Sequence, residues 1–146
     1  DIARFDAQMR ASKKRIRIAE TASGTSLCDI RGIGPIGAAI ILGSVGDINR
    51  FPTKGHFASY NATAPIDASS GNHNRHRLNS RGNRKLNHVL HIAAVCQLRY
   101  PSEGRVYFDK KLAEGKTSKE AIRALKRRIS DVVYRRLQAD ARHLKS

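Results

Sequence analysis

Leu27-Cys28-Asp29-Ile30-Arg31-Gly32-Ile33-Gly34-Pro35-Ile36-Gly37-Ala38-Ala39-Ile40-Ile41-Leu42 is the stretch whose reading sets the fold. Leu27 and Ile30 stand three apart, as on a short helix. Gly32 and Gly34 permit a tight turn and close backbone approach. Pro35 suits the first turn of a second helix, where its missing N–H costs no bond. The stretch therefore reads as a helix-hairpin-helix over 27–42. Gly37, Ala38 and Ala39 are small enough for that second helix to touch a neighbour closely. Two uses fit the turn. It can simply pack, or its second helix can turn backbone amides toward a nucleic-acid phosphate, with Arg31, Gly32 and Gly34 as contact residues.

Upstream, Ile2 to Thr21 places Ile2, Phe5 and Met9 at helical spacing among many Lys and Arg, and Ser23-Gly24-Thr25 breaks the pattern. A solvated basic helix and a coiled-coil arm both fit residues 1–25; residues 26–146 form the domain proper. Downstream, Gly46-Asp47 and Arg50-Phe51-Pro52 mark a turn, and Thr53 is an N-cap for a helix through Phe57 and Tyr60. Ala62 to Pro65 ends that helix. From Asn83 to Tyr100, Leu86, Val89, Leu90, Ala93, Cys96 and Leu98 recur at helical spacing, which predicts the central core helix. Another helix runs from Glu103 to Glu114 and Gly115 closes it. Thr117-Ser118-Lys119-Glu120 resembles a capping box. The last helix continues to about Arg142, with Ala121, Ile122, Leu125, Ile129, Val132, Val133 and Leu137 on one stripe and Lys126, Arg127, Arg128, Arg135 and Arg136 on the other side. Strand signal is weak throughout. The predicted fold is mainly α.

The chain has 146 residues, with 28 Lys and Arg against 12 Asp and Glu, a net charge of +16. That excess points to a polyanionic partner. No apolar run is long enough to span a bilayer, so nucleic acid is favoured over a membrane, in a cytoplasmic, nucleoid-associated setting. Cys28 and Cys96 lie far apart and outside any Cys-x-x-Cys pair, which predicts two free, buried thiols rather than a zinc site. The chain opens on Asp1 already in helical pattern, and reads as a piece of something longer.

Residues 64–83 stand apart: Ala-Pro-Ile-Asp-Ala-Ser-Ser-Gly-Asn-His-Asn-Arg-His-Arg-Leu-Asn-Ser-Arg-Gly-Asn. A segment this polar cannot supply core, and a long polar connection inside a domain is more often functional than filler. Ser69 and Ser70 precede a glycine and are followed by Arg75, Arg77, Arg81, Arg84 and Lys85. Attack on a phosphodiester builds charge on the phosphoryl oxygens, which guanidinium groups stabilise. A DNA-attacking serine fits, and so does an Arg-rich loop that only binds. Arg84 and Lys85 are unfavourable at a helix N-terminus unless an anion joins them. His73 with His76, and His88 with His91, are paired at helical spacing but lack a third ligand. The acidic residues are scattered, so no metal site is predicted.

Several of these runs together resemble one family. Ile30 to Pro35, Gly46 to Pro52, Phe57 to Tyr60, Ala64-Pro65, Ser69-Ser70-Gly71 and Ser80 to Arg84 follow the order found in the C-terminal transposase domain of the insertion-sequence one-ten and one-sixteen family. The pilin-gene-inverting recombinases belong to that family, and the similarity runs from about Leu27 to the C-terminus. The resemblance implies a serine nucleophile at Ser70, with Ser69 as second choice, and a covalent phosphoserine link to DNA. It implies an N-terminal RuvC-like domain bearing a Mg-binding acidic tetrad, absent from this chain, which alone would be inactive and carry no cofactor. It also implies a structured guide RNA and a dimeric or tetrameric assembly, with residues 1–25 as the end of a linking coiled coil. The alternative from another class is a non-catalytic helix-hairpin-helix binding module.

Overall fold

A computed structural model describes the backbone of residues 2–23, 25–65 and 81–145, and the side chains of these except 13–23, 81–83 and 144–145. The described residues contain six α-helices and two single 3-10 turns, and no strand. The helices are α1 (Ile2–Ser23), α2 (Pro35–Val45), α3 (Lys54–Tyr60), α4 (Arg81–Leu98), α5 (Glu103–Ala113) and α6 (Ser118–Lys145). The 3-10 turns are Leu27–Asp29 and Ile48–Arg50. The mainly α reading holds.

Helix α6 is the spine, touching α3, α4, α5 and both 3-10 turns. Its start is the capping box read from the sequence. Thr117 N–H donates to Glu120 Oε1 at 3.0 Å, and Glu120 N–H donates to Thr117 Oγ1 at 3.2 Å, so two orphan amides are satisfied reciprocally. Ala121, Leu125, Ile129, Val133, Tyr134 and Leu137 are all buried along it. Leu125, Ile129, Val133, Tyr134 and Leu137 meet Leu86, Val89, Leu90, Ala93 and Ala94 of α4 and Leu27, Ile30, Ile33, Ala38, Ile41 and Val45 around α2 in one core. Each fully buried side chain of this size contributes roughly 1.5–3 kcal/mol, which holds an aromatic-poor chain together.

The few aromatic residues are concentrated where α3 docks. Phe57 lies 5.4 Å from Phe51 edge to face and 5.9 Å from Tyr134, while Tyr60 lies 5.2 Å from Phe51. Tyr134 O–H donates to the Phe51 carbonyl at 2.6 Å. Arg50 stacks over Phe51 and Tyr60 and caps the end of α2 through the carbonyls of Val45 at 2.8 Å and Ser44 at 3.1 Å. Arg50 in the Arg-Phe-Pro run is thus a helix cap. At the other end of α6, Asp140 accepts from Ser26 N–H at 2.8 Å and from Ser26 Oγ at 2.9 Å, tying down the entry to the Leu27 turn.

Three local readings change. The short helix expected before the glycine turn is a single 3-10 turn, Leu27–Asp29, which ends where Ile30 takes extended backbone. Helix α2 runs on through Gly43 to Val45, and Gly46 at φ 65° ends it. Cys28 and Cys96 form no disulfide, but Cys28 is exposed and Cys96 only half-buried. Leu27 and Ile30 take the core-facing positions of that turn, so Cys28 is left on the outside.

Helix α1 packs on α2, and its opening turns leave Ile2 81%, Phe5 60% and Met9 41% exposed. No helix among the described residues is long and apolar enough to cross a membrane.

Candidate nucleic-acid interface

Ser69, Ser70, Arg75 and Arg77 lie outside the described residues, and Arg81 is described only as the first residue of α4. The chain leaves the described structure at Pro65 and re-enters at Arg81. Arg84 and Lys85 are exposed one turn further along α4, whose first turn carries no acidic residue. That end of α4 is a cationic rim beside the polar segment's exit.

The glycine turn sits elsewhere. Gly32 has φ +93°, and a Cβ there would stand 2.7 Å from Ala93 Cα in the C-terminal half of α4. Gly37 faces Val89, 3.2 Å from where its Cβ would be. Packing against α4 therefore accounts for both glycines. Gln97 Nε2 donates to the Arg31 carbonyl at 2.9 Å, and the Arg31 guanidinium covers the ring of half-exposed Tyr100 at 5.6 Å. Tyr100 lies beyond the end of α4 and is 51% exposed. Nine residues separate Arg84 from Ala93, about 14 Å along a helix at ~1.5 Å per residue. Arg31 and the Arg84–Lys85 rim are consequently at different ends of α4, not in one cluster. Gly34 has neither demand on it: its backbone is extended, and a Cβ there would meet nothing within 4 Å. It caps α2 without a side-chain bond, leaving the first-turn amides of Ile36 and Gly37 without helical partners.

Other basic residues are already engaged. Arg105 pairs with Asp109, Arg127 with Asp131, Arg136 with Asp29 and Lys111 with Glu114, while Arg128 covers Tyr107 at 4.7 Å. Surface pairs of this kind add little stability; their effect here is to hold those cations in place. Among the described residues no three His, Cys, Asp or Glu side chains come together as a metal-binding set.

Sequence reasoning missed the polar network at the stem of the 66–80 segment. Buried Asn61 follows α3; its Nδ2 donates to buried Ser130 Oγ at 2.9 Å. Its Oδ1 accepts from Thr63 N–H at 3.1 Å and from Thr63 Oγ1 at 2.6 Å. Its carbonyl accepts from Asn87 Nδ2 at 3.1 Å, and Asn87 Oδ1 accepts from Lys126 Nζ at 3.0 Å. The network holds Ala62 at φ 64°, a conformation most side chains avoid, with Thr63 N–H reaching back to the Ala58 carbonyl at 2.9 Å. Asn61→Ala should cost about 2–3 kcal/mol, because it takes the Asn61 partner away from the buried Thr63 and Ser130 hydroxyls. Urea unfolding measures this, and a loss within a few tenths of a kcal/mol would show that the network holds nothing. The signal was present in the sequence: Lys126 and Ser130 lie at i+4 and i+8 from Ile122, inside the apolar stripe rather than opposite it.

Burial lowers the Lys126 pKa from its ordinary value. His91, one turn beyond Asn87, is lowered from 6.5 first by its own desolvation and then by the Lys126 and His88 charges. The unfolded chain therefore takes up this proton first as pH falls through 6.5, and stability declines over that window. An NMR titration should place His91 below 6.5, and Lys126→Gln should move it upward. An unshifted His91 in both proteins would remove Lys126 from its neighbourhood.

Residues 24–109, more than half of the chain, match the family model described as Transposase IS116/IS110/IS902 family. The chain belongs to this transposase family. It is 35% identical over 114 residues to the uncharacterized 43.6 kDa protein of insertion element IS110 from Streptomyces coelicolor, covering 77% of this chain and 28% of that protein. The 44.8 kDa protein of insertion element IS116 from Streptomyces clavuligerus is 33% identical over 109 residues, covering 73% and 27%. The 42 kDa protein of insertion element IS900 from Mycobacterium paratuberculosis is 30% identical over 146 residues, covering 97% and 35%. The chain thus spans about a third or less of these relatives' length. No solved structure matches it.

Proposed function

We propose that this chain is the serine-bearing domain of a DNA transposase that joins and exchanges strands through a covalent phosphoserine. Family membership over residues 24–109 carries the reading, and the net charge of +16 supports a nucleic-acid partner. Ser70 Oγ, or Ser69 Oγ if the register is shifted, attacks a DNA phosphorus. A serine–phosphate ester forms as one strand's sugar–phosphate bond breaks, and the departing sugar oxygen takes up a proton as a hydroxyl. A hydroxyl from a second strand then attacks the same phosphorus, restoring the serine and leaving recombined DNA. One phosphodiester is exchanged for another, so no external energy source is required.

Arg75, Arg77 and Arg81, with Arg84 and Lys85 at the rim of α4, bind the phosphate backbone and stabilise charge on the reacting phosphate. Arg31 and the open N-terminus of α2 at Gly34 form a second, separate backbone contact. A RuvC-like partner domain in the full-length protein holds a divalent metal on its own acidic residues. A structured guide RNA selects the target, and residues 1–25 continue a coiled coil joining subunits of a dimer or tetramer.

Covalent trapping tests the chemistry. Full-length protein, its RNA and nicked target DNA are mixed, denatured, and the adduct is mapped by mass spectrometry. An adduct on Ser70 is expected. An adduct on another residue would move the nucleophile, and tight binding without any adduct would leave only a binding module.

A further inference from the structure

Lys126 is the one element of the stem network that the structure gives a charge without a counter-charge. Its ammonium is half-buried on the apolar stripe of α6, and among the described residues no carboxylate pairs with it. Holding a cation there is unfavourable unless something offsets the lost hydration. A single neutral acceptor, Asn87 Oδ1 at 3.0 Å, takes one of its three protons. Asn87 cannot turn freely, because its Nδ2 is committed to the Asn61 carbonyl at 3.1 Å. The ammonium is therefore fixed in position, with two donors that no acceptor among the described residues takes up. Its other neighbours are basic as well: His91 lies close enough to feel its charge. Arg84, His88 and His91 recur at three- and four-residue spacing on the face of α4 that also carries Asn87.

We propose that Lys126 Nζ, aimed by Asn87 and flanked by His91, contacts a DNA phosphodiester oxygen at the stem of the 66–80 segment. The inference rests on the nucleic-acid reading above and adds to it a contact outside both the arginine-rich segment and the glycine turn. Lys126 acts as a preset point charge, so little side-chain entropy is lost when the phosphate arrives. Asn87 is a positioning residue. The bland account is that the lysine stem merely covers the α4–α6 seam while its head reaches solvent; that account predicts no dependence of DNA binding on this residue beyond its share of the total charge.

The experiment is a salt titration of duplex DNA binding by the 146-residue chain, followed by fluorescence anisotropy. Lys126→Gln keeps a side chain that can still bond Asn87 and removes the charge. It should lower the slope of log K against log salt by about 0.9 and weaken binding on the order of five- to tenfold at ~0.1 M salt. Lys116→Gln, an exposed change at the far turn before α6, is the control for net charge and should do much less. Equal effects from the two variants would overturn the proposal. Lysine acetylation of the unmutated chain gives the same answer without any variant: DNA should protect Lys126, and undiminished acetylation would also overturn it. A chain that binds neither DNA nor RNA at any salt would remove the nucleic-acid reading itself. Binding confined to RNA would keep that reading and reject the assignment of Lys126 to DNA.

Discussion

Replacing Ser70 by alanine in the intact transposase is expected to abolish both the covalent protein–DNA adduct and recombination, a loss of several orders of magnitude. The size follows from the role. A residue that forms and breaks the bond has no partial substitute, whereas removing one stabilising arginine typically slows the reaction by a few hundred- to a thousandfold. DNA binding should survive, because the cations that supply it are untouched. The alternative nucleophiles by type are poorly placed. Tyr60 O–H is committed to the Ser44 carbonyl at 3.2 Å within the aromatic cluster. Tyr100 follows the far end of α4, 17 residues of helix from Arg81 and so about 26 Å away along its axis. Ser69→Ala should keep most activity; if it instead carries the loss, the nucleophile is one residue earlier. Full recombination by Ser70→Ala together with wild-type behaviour of Ser69→Ala would end the phosphoserine proposal.

The elements of this fold were legible because their signals are local. Thr53 accepts from His56 N–H at 3.2 Å, Ser102 accepts from Arg105 N–H at 3.1 Å, and the Thr117–Glu120 pair closes as its spacing implies. Caps and apolar periodicity are written within four residues of each other, so one sequence suffices to read them. What α4 and α6 do to the glycine turn was not legible. Gly32 and Ala93 are 61 positions apart, and nothing in either neighbourhood announces the other. The same holds for Asn61, Asn87 and Lys126, three polar residues on three elements that only the packing of α3, α4 and α6 brings into one network. Periodicity sorted Lys126 with the basic face by its charge, when its phase placed it among Ile122, Ile129 and Val133. The serine segment, read from composition and from the order of the family motifs, lies outside the described residues, so Ser69, Ser70, Arg75 and Arg77 are assigned on that ground alone.

Gly32→Ala should be the most damaging single change to stability in the described fold. An alanine would have to hold φ +93°, where L side chains are strained, and its Cβ would stand 2.7 Å from Ala93 Cα and 2.8 Å from Ala93 O. Those atoms are the backbone of α4, so no side chain can rotate away to relieve the clash. Left-handed strain costs about 1–3 kcal/mol and overpacking a similar amount. A total of roughly 2–6 kcal/mol is a large share of the usual stability of a domain. The turn would have to lift off α4, taking the Gln97–Arg31 bond with it, and the melting temperature should fall by about 10 °C or more. Gly34→Ala makes the opposite case, since its extended backbone and open surroundings accept a methyl group. Its melting temperature should stay within a few degrees of the original. If phosphate approaches the amides at the start of α2, the added methyl group should nonetheless weaken DNA binding. An unchanged melting temperature for Gly32→Ala would sink the packing account, and unchanged DNA affinity for Gly34→Ala would confine the glycine turn to packing. Two glycines two residues apart thus separate the turn's structural use from its binding use, which neither spacing nor charge could do.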